Sequence, residues 1–88
     1  MNTSDNEQRV RAVIAEHAAL AVDPQTLSTT DDLYQAGMTS HASVNVMLAL
    51  EDAFDIEFPD AMLTREVFAS IAAIAAAIAE LSSEEQAA

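Results

Sequence analysis

The sequence predicts a small all-α bundle, and three observations carry that expectation. Eighty-eight residues enclose a single core at most. One glycine and two prolines leave too few turn-formers for a many-stranded fold. Apolar residues recur at helical spacing in separate segments, and alanine supplies much of the 51% hydrophobic fraction, so the core is thin and helical.

The first helix starts near Ser4 or Asp5, where Ser4 followed three residues later by Glu7 fits a capping box. Val10, Val13, Ile14 and His17 then form one helical stripe, with His17 at its edge. The stripe fades over Leu20 to Val22. Asp23-Pro24 ends it, because the residue before a proline is pushed out of the helical region. From Asp23 to Thr39 no periodicity persists, and so long a connection in a compact domain is either functional or disordered. Leu27, Leu33 and Tyr34 are spaced to pin it to the bundle, and Asp31-Asp32 are placed to start a single short turn of helix, so an ordered loop is expected.

Gly37 closes that loop and a second helix runs from about Ser40 to Asp55. Met47, Leu50 and Phe54 suit the core, while Val44, Leu48 and Glu51 lie on an adjacent, partly exposed face. An exposed apolar strip rimmed by acids marks a docking surface, although isolated surface valines and leucines are ordinary. Phe58-Pro59-Asp60 breaks the chain, and Asp60 is placed to cap a short third helix reaching about Thr64. The last helix begins near Ser70, an N-cap, and buries Ile71, Ile74, Ala75, Ile78 and Leu81, with Phe68 plugging the bundle just ahead of it. Ser82 to Ala88 reads as a polar tail that frays. The expected organisation is one domain over residues 1–88, its core from about 5 to 81, without internal repeats.

Charge narrows the function. Three basic residues, all arginine, against fifteen acids give −12, which repels phosphate backbones and anionic headgroups; the charge either steers the chain towards basic patches on other proteins or simply keeps a small domain soluble, and charge alone does not separate the two. Nucleic acid and membranes are therefore not expected partners. Without lysine there is no side-chain Schiff base. Without cysteine there is no disulfide, no thiolate metal site and no protein thiol, so any thiol chemistry requires a cofactor. The segment Met1 to Glu7 lacks the basic and apolar regions of a signal peptide, and the apolar run from Ile71 to Ala79 is too short for a bilayer. A cytoplasmic location follows as the expectation.

Several chemistries fit poorly. Ser40 and His41 are adjacent on a helix and point about 100° apart, so they do not face each other as nucleophile and base. A hydrolase elbow needs G-x-S-x-G after a strand, and the segment here reads G-M-T-S-H. His17 and His41 are distant, in no helical pair, and unaccompanied by cysteine, so no metal site is expected. Glu51, Asp52, Asp55, Glu57 and Asp60 lack the alternating acids and bend glycine of a calcium loop. No catalytic residue is assigned. What remains is the hydroxyl at the start of the second helix. Thr39 or Ser40 fits an N-cap, the commoner role. Ser40 also fits a phosphodiester attachment point, because unpaired helix N–H groups and the helix dipole favour an anion there.

With these elements placed, the chain resembles the acyl carrier proteins from about Glu7 to Leu81. Gly37-Met38-Thr39-Ser40 leads into a helix whose end reads Glu51-Asp52-Ala53-Phe54-Asp55-Ile56-Glu57-Phe58-Pro59. That is similar to the family's G-x-D-S-L motif followed by E-x-x-F-x-x-x-[IF]-P. The resemblance implies a four-helix bundle with a long first loop and a short third helix. It also implies 4′-phosphopantetheine on Ser40, attached by a phosphopantetheinyl transferase from coenzyme A with Mg²⁺. Cargo would ride on the arm's thiol as a thioester, loaded by a separate ligase or synthase, and the carrier itself would catalyse nothing. Three positions depart from the pattern: Thr39 replaces the aspartate before the serine, His41 the leucine after it, and Asn45 an acid early on the helix. These departures point to a specialised carrier, and the likeness extends to aminoacyl carriers charged with glycine or alanine by ligases related to class II aminoacyl-tRNA synthetases. Peptidyl, D-alanyl and acyl cargo stay open. The implied docking residues are Thr39, His41, Val44, Asn45, Leu48, Glu51 and Asp52, on a chain that is a monomer alone. The alternative is a carrier-like docking or regulatory module without a prosthetic group.

Overall fold

Three α-helices, α1 (Thr3–His17), α2 (Ser40–Phe54) and α3 (Ile71–Ala87), carry the described chain, joined by segments that hold two single 3-10 turns, Pro24–Thr26 and Asp60–Met62. The computed structural model describes residues 3–18 and 20–87, with side chains from 5 to 18 and 20 to 81. No strand occurs among the described residues. None of their helices is long and apolar enough to cross a membrane.

Each helix turns one apolar row inward. Val10 and Ile14 of α1, Val46 and Leu50 of α2, and Ile71, Ile74 and Ile78 of α3 are fully buried. Leu33, Phe58 and Phe68 close the core from the connecting segments. Phe58 and Phe68 meet edge to face, with ring centroids 5.3 Å apart. Phe68 thus plugs the bundle as its position predicted. On α2 the buried row is Ala42, Val46 and Leu50, at spacing i and i+4, while Met47 and Phe54 flank it half-buried. Ala42 and Val46, like Met38 and Ile56 at either side of the helix, are core residues outside those whose spacing suited the core.

The long connection is ordered, as expected, and its hydrogen bonds account for that. The Leu33 amide donates to the Ala69 carbonyl (2.7 Å) and the Ala72 amide to Thr29 (2.9 Å), tying the loop to the start of α3. Arg11 Nη1 donates to the carbonyls of Pro24 (2.6 Å) and Leu27 (2.7 Å). Asp32 Oδ1 accepts from the Tyr34 amide (2.9 Å) and the Asp32 carbonyl from the Ala36 amide (3.1 Å), so a hydrogen-bonded turn stands where a turn of helix is expected.

Four boundaries differ from the expectation. First, α1 stops at His17 rather than at Asp23-Pro24. The Ala21 amide donates to Ala36 (3.0 Å) instead of back along the helix, and Asp23 caps the Pro24–Thr26 turn through the Gln25 amide (2.9 Å). As the last residue of α1, His17 is exposed instead of edging the core. The Ser4 capping box lies outside the described side chains. Second, α2 ends at Phe54 because Asp55 adopts the left-handed conformation (φ 54°, ψ 51°), and the Ile56 amide reaches back to Glu51 (3.1 Å). Third, the short third helix is one 3-10 turn, closed by Met62 to Pro59 (2.8 Å) and Leu63 to Asp60 (3.1 Å). Asp60 is its first residue rather than its side-chain cap, and Leu63 (φ −85°, ψ 63°) leaves the helical region immediately. Fourth, α3 continues through Ala87, where no glycine or proline interrupts it after Leu81. Its start matches the reading: Ser70 Oγ accepts from the Ala73 amide at 3.1 Å.

Candidate functional site

The approach to α2 is shaped by Gly37. Its φ of 118° belongs to the region that favours glycine, and a Cβ there would come within 2.8 Å of the Ala21 nitrogen. The loop therefore lies directly against the segment following α1. Met38 then anchors in the core, only 3% exposed.

Thr39 is extended (φ −84°, ψ 165°), and its Oγ1 accepts a hydrogen bond from the Ala42 amide at 3.0 Å. That resolves the choice between the two hydroxyls: Thr39 is the N-cap. Ser40 is the first residue of α2, exposed, and its Oγ hydrogen-bonds to no described residue. The Ser40 carbonyl accepts from Ser43 Oγ at 2.7 Å, which ties down the neighbouring hydroxyl rather than the Ser40 one. An unpartnered, accessible hydroxyl at the positive end of a 15-residue helix is open to substitution by an anionic group.

Ser40 also lines a hollow of about 320 Å³, walled mainly by Tyr34, Val44, Met47, Leu63 and Phe68. Arg65 lines it too, with its guanidinium 4.1 Å from the centroid of the Tyr34 ring. Arg65 escaped the sequence reading. The signal was its position as the one arginine outside the first helix, but nothing in the sequence placed it beside Ser40.

The residues expected to dock partners fall into separate places. Thr39 and His41 flank Ser40 and are exposed. Val44, 51% exposed, belongs to the hollow beside Ser40. Asn45, Leu48 and Asp52 line a different groove, shared with Val13 and His17 of α1, and Leu48 is 54% exposed there. Glu51 differs from the rest: it is half-buried, and its Oε2 accepts from the Phe58 amide at 2.8 Å. Its carboxylate fastens the chain after α2.

Residues 8–78 match the family model for the phosphopantetheine attachment site. The chain belongs to the acyl carrier protein family. Phosphopantetheine is the prosthetic group of this carrier family. An aminoacyl carrier protein of Agrobacterium fabrum is 49% identical over 65 residues, covering 74% of this chain and 78% of that protein. Among solved structures, similarity is high to a chain in the crystal structure of an engineered Bradyrhizobium japonicum glycine:[carrier protein] ligase complexed with carrier protein from Agrobacterium tumefaciens and AMP. The TM-score is 0.81 at 44% identity, over 83% of this chain and 97% of that one. A chain in the structure of the Bradyrhizobium japonicum ligase complexed with glycylated carrier protein gives 0.69 at 31% identity, over 83% and 97%. The carrier fold thus accommodates Thr39 in the capping position, where a threonine hydroxyl performs the hydrogen bond without a charge.

Proposed function

We propose that this chain is a standalone aminoacyl carrier bearing 4′-phosphopantetheine on Ser40, loaded with a small amino acid by a ligase of the glycine:carrier protein type. One observation carries the assignment of the attachment point. Thr39 supplies the cap, so Ser40 Oγ stands exposed and without a hydrogen-bond partner at the helix start. The likeness to carriers complexed with a glycine ligase supports the loading partner and the cargo class.

The chain's own residues have limited tasks in this reading. Ser40 Oγ gives up a proton as its bond to phosphorus forms and the pyrophosphate bond of coenzyme A breaks, releasing the nucleotide portion; among the described residues no side chain hydrogen-bonds to that oxygen, which supports a base supplied by the transferase. Thr39 and the first turn of α2 fix the oxygen's position and present helix N–H groups to the phosphodiester. When bound, the prosthetic group supplies the thiol that a chain without cysteine lacks. The carrier is accordingly not an enzyme, and it works in the cytoplasm, where coenzyme A and ATP are at hand.

The carrier unit is a single domain with its core from about residue 5 to 81. The stretch from the Asp60–Met62 turn to Phe68 is the counterpart of the short third helix of a four-helix carrier, a reading supported by its single 3-10 turn between α2 and α3. Docking divides between the Ser40 flanks, Thr39 and His41 with Val44, and the groove bearing Asn45, Leu48 and Asp52. Glu51 contributes through the fold.

The test is loading. The protein carrying the arm, given ATP, glycine or alanine and a glycine:carrier protein ligase, gains the mass of one aminoacyl residue in a hydroxylamine-labile bond. Ser40→Ala, which leaves the cap intact, gains none. Loading of Ser40→Ala would put the arm on another residue, whereas partner binding and cellular function indifferent to that substitution would favour the docking module without a prosthetic group.

A further inference from the structure

The three arginines are not equivalent. Arg9 stacks on Phe54 at 4.0 Å and donates to the Ala53 carbonyl at 2.6 Å, and Arg11 donates to the carbonyls of Pro24 and Leu27. Both brace α1 against its neighbours. Arg65 is exposed and stacks on Tyr34, but its N–H groups donate to no described residue. It lines the hollow that Ser40 lines, and no acidic side chain shares that lining. In a chain of net charge −12, this lining offers an anion a cation rather than a carboxylate.

We infer that Arg65 is the residue that holds the phosphodiester of the arm on Ser40, laying the arm's pantetheine portion over the hollow while its aminoacyl end stays outside. The inference rests on the proposed attachment at Ser40. Three features of the hollow select that occupant. Stacking on Tyr34 limits the guanidinium's freedom, so its fork of donors meets phosphate oxygens with less ordering to pay. The apolar faces of Val44, Met47, Leu63 and Phe68 suit the methyl and methylene groups of pantetheine, and a volume of about 320 Å³ lies at the small end of ligand pockets. The α-amine of an aminoacyl thioester is a cation at neutral pH, and it finds here an apolar lining and a like-charged guanidinium. The pocket that welcomes the arm therefore rejects the cargo, which leaves the thioester presented to partner enzymes.

Amide and arginine Nε–H spectra of the unmodified, arm-bearing and glycyl-loaded protein test this. Attachment, followed by intact mass, should move the resonances of Tyr34, Val44, Met47, Leu63 and Phe68 and of the Arg65 Nε–H group. Glycyl loading should add no further change at the hollow. Arg65→Gln should accept the arm with unchanged mass gain yet lose the shifts at the hollow. Shifts confined to residues 39–43 on a protein that carries the arm, or hollow shifts retained in Arg65→Gln, overturn the inference. So does a second set of hollow shifts on glycyl loading. The Arg65 Nε–H readout on the unsubstituted protein stands whether or not the variant folds. Absence of any added mass contradicts the attachment itself, a failure distinct from these.

Discussion

Thr39 Oγ1 and the Ala42 amide, 3.0 Å apart, form the hydrogen bond that makes Ser40 available. The cap and the neighbouring hydroxyl have separate functions: one closes the helix, the other is left exposed. This separates the stability of α2 from the chemistry of Ser40, and mutation can address the two independently.

Thr39→Ala should destabilise the fold by about 1 kcal/mol, the ordinary worth of an N-cap. Thr39→Asp should restore that loss, since a carboxylate accepts the same hydrogen bond and favours the helix dipole. Urea denaturation of the three proteins measures the series, and equal stability of Thr39→Ala and the unsubstituted chain would contradict the capping role.

Leu48 and Leu50 are two residues apart on α2 and should behave as opposites. Leu50 is fully buried, so Leu50→Ala should cost about 2–5 kcal/mol. Leu48 is 54% exposed, so Leu48→Ala should change stability by no more than about 0.5 kcal/mol. It should nevertheless weaken binding to the loading ligase, which a titration with the purified ligase would register.

The neighbouring acids separate in the same way. Glu51→Ala removes the acceptor of the Phe58 amide and should destabilise by about 1.5 kcal/mol. Asp52 is exposed, so Asp52→Lys should spare stability but slow ligase association, with the difference shrinking as salt rises. Stopped-flow association at two ionic strengths checks the second half of this prediction.

Gly37→Ala should destabilise by about 1–3 kcal/mol, because a Cβ there meets both an unfavourable φ and the Ala21 nitrogen at 2.8 Å. A melting temperature unchanged by the substitution would show that the loop yields.

The parts legible in the sequence were those fixed by periodicity and caps. Val10 and Ile14, Leu50, and the row from Ile71 to Leu81 announced their burial through spacing, and Ser70 announced a helix start through its hydroxyl. Tertiary hydrogen bonding was not legible. Ala21 turns to Ala36 and so ends α1 six residues before Asp23-Pro24, a choice made by a residue distant in sequence. Glu51 looked like a surface acid because its partner, the Phe58 amide, lies beyond a left-handed residue that folds the chain back. At the site, Ser40 could be picked out from its motif, but its choice of role over Thr39 depended on the cap geometry. Arg65 became visible only when the chain after the Asp60–Met62 turn was brought against Tyr34.

Loading and docking alike depend on Ser40 carrying the arm. Intact-mass measurement of the protein isolated from its own cells, with fragmentation to locate any adduct, tests it most directly. One 4′-phosphopantetheine group is expected on Ser40 of the unsubstituted protein, and none on the Ser40→Ala protein. A chain isolated wholly unmodified, or an arm located on any other hydroxyl, would contradict it.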